Sequence, residues 1–225
     1  MKSFKDVKKK FKNTFHNILK TTQNYELDEA AFPAYAHKNI LIDHLFWKRV
    51  QVAFNHSQKN SGTKKALDFG CGSGVLSYLL AKNGYNVTGV DIEFRPLELI
   101  REKVNFPSNI EFIKGDILAL NLPQKSYDVI FALDVLEHIE NLQDYIDCFK
   151  GLLAEDGVII ISGPTENILY KIGRKIAGQR FTGDYHVTNI SKIKNEFKQK
   201  LEVKTIKKLV FPLVLFELFE ARKSK

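Results

Sequence analysis

Residues 66–74 read Ala66-Leu67-Asp68-Phe69-Gly70-Cys71-Gly72-Ser73-Gly74 (ALDFGCGSG), and this stretch decides the fold. A short apolar run closes on a carboxylate and an aromatic ring, and glycines then take alternate positions. The run predicts a buried strand, and the amphipathic stretch from Val75 to Lys82 behind it predicts a helix. Glycines between a strand and a helix let a ligand come up against bare backbone. They sit at the strand edge where open α/β sheets bind their ligands.

Working outward, the same alternation continues from Lys64 to Gly163. KKALDF, NVTGVD, IEFIKGD, YDVIFALD and GVIIISG are short, rich in β-branched or aromatic residues and bounded by turn residues. They read as five strands. Amphipathic stretches at Val75–Lys82, Arg95–Val104 and Leu142–Leu153 separate them, which predicts βαβ units and a parallel sheet with helices on both faces. Gly115 to Ser126 is too short for a good helix and predicts a loop crossing. Upstream, Ala34 to Phe54 predicts one or two helices. Before them, Phe4, Val7, Phe11, Phe15 and Ile18 fall on one face among lysines, a basic amphipathic helix. Downstream come a basic amphipathic stretch at Asn167–Ala177 and a helix near Ile190–Lys200. LEVKTIKKLV and LFELFEARK follow as a hairpin around Pro212. The organisation expected is a basic N-terminal extension at 1–30 and a single domain at 31–225, with a lid-like insert at about 164–188.

The chain of 225 residues suits one α/β domain with a full core. Two cysteines without metal-ligand spacing exclude a disulfide framework and fit a reducing cytosol. No apolar run reaches the roughly 18–20 residues of a membrane span, and the Lys-rich N-terminus lacks the apolar region of a signal peptide. The expected location is the cytoplasm, with peripheral contact at a membrane surface. The formal charge of +8 gathers in the first twenty residues, in Lys171–Arg180 and in the last third. A basic periphery around a balanced centre suits an anionic neighbour: a membrane surface, a phosphorylated substrate or RNA. Solubility alone is the plain alternative.

The motifs after the glycine turn define the ligand. The second strand ends in Asp91, where a carboxylate can accept both hydroxyls of a ribose. The third ends in Gly115-Asp116, where another can accept the amino group of adenine. A dinucleotide site would show G-x-G-x-x-G for its pyrophosphate, whereas this spacing is G-x-G-x-G with Asp68 two residues ahead of it. A carboxylate repels a pyrophosphate but suits an ammonium group. An adenine nucleoside with an amino acid tail and a positive sulfonium, S-adenosylmethionine, finds a partner for each of its parts.

On ALDFGCGSG, VDIEF, KGDI and YDVIFALDVLEHIEN, the chain from about Ala34 to Lys223 resembles the class I S-adenosylmethionine-dependent methyltransferases. The likeness is nearest to the small-molecule branch that includes the ubiquinone-biosynthesis O-methyltransferases. The resemblance implies a Rossmann-like seven-stranded, mostly parallel sheet ordered 3-2-1-4-5-7-6, with the last strand antiparallel. It implies that Gly70, Gly72, Asp91, Ile92, Asp116 and Ile117 contact the cofactor, with Leu133 on its methionine side. Asp68, Cys71 and Gly74 complete the expected cofactor set.

Methyl transfer from a sulfonium needs alignment of nucleophile, methyl and sulfur, and sometimes a base. Asp134, Glu137 and His138 would share a face if they formed one helical turn. Three readings stand: His138 as general base; Asp134, Glu137, His138 and His186 as a divalent-metal site; or a turn that only supports the cofactor. The acceptor side is expected to draw on Trp47 and Arg49 from Phe46-Trp47-Lys48-Arg49, and on Tyr170, Arg174 and Tyr185 from the insert. Trp47 reads equally well as core. The acceptor class expected is a small, lipophilic or membrane-borne molecule, with O-methylation favoured. The rivals are metal-assisted 2′-O-methylation of RNA and a subunit that binds the cofactor without catalysis.

Overall fold

The computed structural model describes residues 3–21, 35, 40–59, 62–165, 187–210 and 214–224. Its strands are β1 (Lys65–Phe69), β2 (Asn86–Asp91), β3 (Ile110–Lys114), β4 (Tyr127–Leu133), β5 (Leu153–Pro164), β6 (Glu202–Val210) and β7 (Val214–Arg222). They form one sheet in the order 3-2-1-4-5-7-6. β1 to β5 run parallel, and β7 runs antiparallel to β5 and to β6. The expected sheet and its terminal hairpin are both present. β5 begins earlier than its GVIIISG run because Leu153 pairs with Tyr127 ahead of an irregularity in the β4–β5 register. The Gly115–Ser126 crossing holds a single 3-10 turn at Ile117–Ala119.

The helices are α1 (Phe4–Thr21), α2 (Ile40–Ser57), α3 (Val75–Ala81), α4 (Arg95–Arg101), α5 (Leu142–Leu152) and α6 (Ile190–Lys198). They divide the core in two. Residues of α1, α2 and α3 pack on Ala66, Val129, Phe131 and Ile160. Residues of α5 and α6 pack on Leu67, Ile130, Ile159 and Ile161. Neighbouring strand residues therefore feed opposite faces, as the period of two requires. The continuous apolar runs of β4 and β5 follow from burial on both sides.

The structure treats the N-terminal helix as part of this core. Val7, Phe11, Phe15 and Ile18 are buried, and α1 packs against α3 and α4. Phe11 meets Tyr78 edge-on with ring centroids 5.2 Å apart. Lys8 and Lys12 both pair with the buried Asp43, at 3.1 and 2.9 Å, and the Lys10 ammonium donates to the Tyr78 hydroxyl. The apolar face of this helix is turned inward, because its aromatic residues cover the outside of α3. Lys5, Lys9 and Lys20 remain exposed. No helix among the described residues is long and apolar enough to cross a membrane.

Candidate active site

The C-terminal ends of β1, β2 and β3 open onto a cleft of about 470 Å³, lined by residues that include Phe69, Gly70, Asp91, Asp116, His138 and Tyr145. This is a usual size for a small-ligand site. It lies beside the point where the order of the parallel strands reverses, between β1 and β4. A second hollow of about 280 Å³ opens at the N-terminal ends of β1 to β4, the edge such sheets do not use for ligands.

The glycine turn is held open from below. The N–H groups of Gly70 and Cys71 both donate to the Val90 carbonyl, at 2.8 and 3.2 Å. Gly72 has φ +50, and a Cβ there would meet no atom within 4 Å, so its bare backbone faces open space. Gly74 is needed for another reason. A Cβ there would come within 2.9 Å of the Phe106 ring, so this glycine serves packing behind the turn.

Asp91 ties the turn to the second strand. One carboxylate oxygen accepts the Gly72 N–H at 2.7 Å and the other accepts the Glu93 N–H at 3.1 Å. Burial raises its pKa, and those N–H groups act against the rise. Asp116 caps the 3-10 turn by accepting the Leu118 N–H at 3.0 Å. Ile92 stands 72% exposed at the cleft wall. Two carboxylates at successive strand ends, an apolar wall and an uncovered glycine backbone fit a ribose, an adenine and an amino acid tail in that order.

Residues 67–161, which contain this turn and both carboxylates, match the model of a family described as a methyltransferase domain. The ubiquinone biosynthesis O-methyltransferase of Actinobacillus pleuropneumoniae is 36% identical over 113 residues, 47% of this chain and 48% of that protein. The corresponding protein of Pasteurella multocida is 33% identical over 126 residues, 50% of this chain and 52% of its own. The chain thus spans about half the length of these curated relatives. Among solved structures, the magnesium protoporphyrin IX methyltransferase of Synechocystis PCC 6803, with bound S-adenosylhomocysteine, shares the fold at TM-score 0.65 and 22% identity. That match covers 93% of this chain and 100% of that one. Residues 67–161 are thus similar to a methyltransferase domain, and the sheet around them has the fold of the solved methyltransferase.

Within this fold, several expected site residues lie elsewhere than the motifs suggested. Asp68 does not line the cleft. It is buried beneath the turn, where its carboxylate accepts the Ser77 hydroxyl at 2.6 Å. Burial pushes its pKa up to about 6, with the Asp91 charge adding to the rise and the Ser77 hydrogen bond opposing it. Cys71 is buried, and burial raises its thiol pKa well above the ordinary value. Ile117 is buried in the α5-side core, and Leu118 is the residue of that turn that faces the cleft. Leu133 is half-buried against the α2-side core.

The turn at Asp134–His138 also departs from expectation. Only Leu136–His138 is helical, and as a 3-10 turn, so Asp134, Glu137 and His138 do not share an α-helical face. Asp134 sits at φ +54 before the turn, with its carboxylate on the Ser162 hydroxyl at 2.8 Å and on the Arg49 guanidinium. Glu137 is buried while His138 is exposed at the cleft wall. Gly163 lies beside this turn and makes room for Ile190, since a Cβ there would come within 3.1 Å of its Cδ1. Among the described residues no group of three or more His, Cys, Asp or Glu could hold a metal ion. His186, Tyr170, Arg174 and Tyr185 lie outside the described residues.

The acceptor-side candidates from α2 separate as well. Trp47 is core: it is 1% exposed and its indole N–H donates to the Tyr35 carbonyl at 3.0 Å. Arg49 is buried beside the Phe46 and Phe216 rings, with one nitrogen on the Tyr35 hydroxyl at 3.2 Å. Ser77, Ser162 and Tyr145 escaped the sequence reading. Tyr145 falls four residues before the buried Phe149 on α5, so its spacing reads as core.

Proposed function

We propose that this chain transfers the methyl group of S-adenosylmethionine to a small, lipophilic acceptor, with oxygen as the favoured nucleophile. The observation that carries the reading is the Asp91 carboxylate, which lines the cleft at the end of β2 and accepts the Gly72 N–H of the glycine turn. This joins a ribose acceptor to a backbone open to the methionine tail. The names of the curated relatives, which place them in ubiquinone biosynthesis, support an acceptor with a hydroxyl on an apolar body.

The bound cofactor supplies a sulfonium methyl, an electrophile that needs no further activation. In this reading the protein supplies alignment. Asp91 accepts the ribose hydroxyls, and Asp116 accepts an amino group of the base. Ile92 and Leu118 exclude water from the base. His138, exposed at the cleft wall, takes the proton of the acceptor hydroxyl, directly or through water. The described residues do not converge on a divalent ion, so no step is routed through one.

The test is turnover with methyl-labelled cofactor against polyprenyl phenols, total lipid extract and small RNAs. The expected label is on the phenols or in the lipid. Label confined to RNA would overturn the acceptor class, and failure of S-adenosylhomocysteine to bind by calorimetry would overturn methyl transfer itself. His138→Ala should lower kcat by roughly 10²–10⁴-fold, the scale of general-base catalysis, with cofactor affinity unchanged.

A further inference from the structure

Tyr145 and Asp116 stand 29 residues apart in the chain, yet the Tyr145 hydroxyl lies 3.1 Å from one oxygen of the Asp116 carboxylate and 3.2 Å from the other. The first of these oxygens also accepts the Leu118 N–H. The Tyr145 ring packs against Phe69, at the root of the glycine turn, with centroids 5.7 Å apart. Both residues line the cleft together with Asp116 and Leu118. Asp116 is itself exposed, and without a second anchor its carboxylate would be free to turn about its last bond.

We propose that Tyr145 is a specificity-determining residue that holds the Asp116 carboxylate in one orientation, so that the cleft takes a purine bearing an amino group and rejects a 6-oxopurine. This deepens the methyltransferase reading above and rests on it. An ionised carboxylate only accepts hydrogen bonds. With one oxygen occupied by Leu118 and the hydroxyl shared across both, the remaining lone pairs belong to the second oxygen. A 6-amino group donates to it. A 6-oxo group brings its own lone pairs against it, and a site built to accept an amino hydrogen disfavours the analogue that lacks one. Burial and the neighbouring Asp116 carboxylate both raise the pKa of the Tyr145 hydroxyl, which keeps the proton needed for donation.

The experiment compares S-adenosylhomocysteine with its inosine analogue by calorimetry, in the full chain and in Tyr145→Phe and Tyr145→Leu. The wild-type chain should prefer the adenine compound. Tyr145→Phe should weaken adenine binding by roughly tenfold, the scale of one hydrogen bond to an ionised group. Binding of the inosine analogue should stay as it was, so the preference shrinks by the same factor. Tyr145→Leu also alters the contact with Phe69. An equal loss of preference in both variants assigns the effect to the hydroxyl. An undiminished preference in Tyr145→Phe, or tighter adenine binding, would overturn this role and leave the methyltransferase reading standing. A wild-type chain that binds neither compound would overturn both.

Discussion

The Arg49 guanidinium and the Asp134 carboxylate form an ion pair that joins α2 to the end of β4. Arg49 is 3% exposed. Asp134 is held in a left-handed conformation, with the Ser162 hydroxyl on its other oxygen. Removing the cation leaves a half-buried carboxylate without its opposing charge. Arg49→Leu should therefore cost about 3–5 kcal/mol in urea unfolding. Asp134→Asn keeps the backbone conformation, which asparagine tolerates, and the double variant should be more stable than Arg49→Leu alone. Strict additivity of the two losses would show that the pair is not coupled.

Asp91 has a structural duty besides its proposed one, since it holds the Gly72 and Glu93 N–H groups. Asp91→Asn retains an acceptor for the turn but loses the charge. Asp91→Ala loses both. Affinity for S-adenosylhomocysteine should fall in that order, with Asp91→Ala weaker by at least ~10²-fold from two hydrogen bonds to a charged acceptor. Calorimetry giving equal affinities for wild type and Asp91→Ala would remove this residue from the site.

The buried Asp68 makes stability depend on pH. Its pKa rises from 3.8 to about 6 in the folded chain, so between those values the native state holds the proton that the unfolded state has released. This contribution is present below about pH 4 and is lost as pH rises through about 6. The loss amounts to about 3 kcal/mol. Asp68→Asn cannot titrate and still accepts from Ser77. Relative to wild type it should gain stability between pH 4 and pH 7 in urea titrations. A difference that stays constant across that range would place the folded pKa at its ordinary value.

The packing of α1 predicts that the N-terminal segment is not dispensable. Phe11 is fully buried, and Phe11→Ala should cost about 3–5 kcal/mol, the range for large-to-small core changes. Removing residues 1–20 should lower the thermal midpoint sharply, because Tyr78 and Phe106 lose their cover. Charge reversal at the exposed Lys5 and Lys9 should leave stability nearly unchanged. If this face meets anionic vesicles, binding should fall in that variant and fade with salt.

The glycine turn and the two strand-end carboxylates were legible because their signals are local. ALDFGCGSG carries a strand, a turn and a helix start within a few residues, and Asp91 and Asp116 each close a strand that its own period identifies. The reading failed where a residue's neighbour lies far along the chain. Asp134, Glu137 and His138 would share a face only on one α-helical turn, and a 3-10 turn beginning at Leu136 sends Glu137 inward and His138 outward. Asp68 was read as a ligand contact because it precedes the glycines, yet its depth in β1 puts it under the turn.

The sequence by itself determined the α/β class, the strand order that the resemblance implies, the glycine turn and the carboxylates at successive strand ends. The class, the turn and the carboxylates follow from spacing and period, which a single chain displays directly, and the strand order follows from the family resemblance alone. Only the tertiary structure decided that Arg49 meets Asp134, that Tyr145 holds Asp116, and that α1 covers α3. Each is a contact between segments whose separate patterns say only that one face is apolar or one side chain polar. Which partner satisfies that face or charge is fixed by how the helices lie on the sheet, through burial and desolvation.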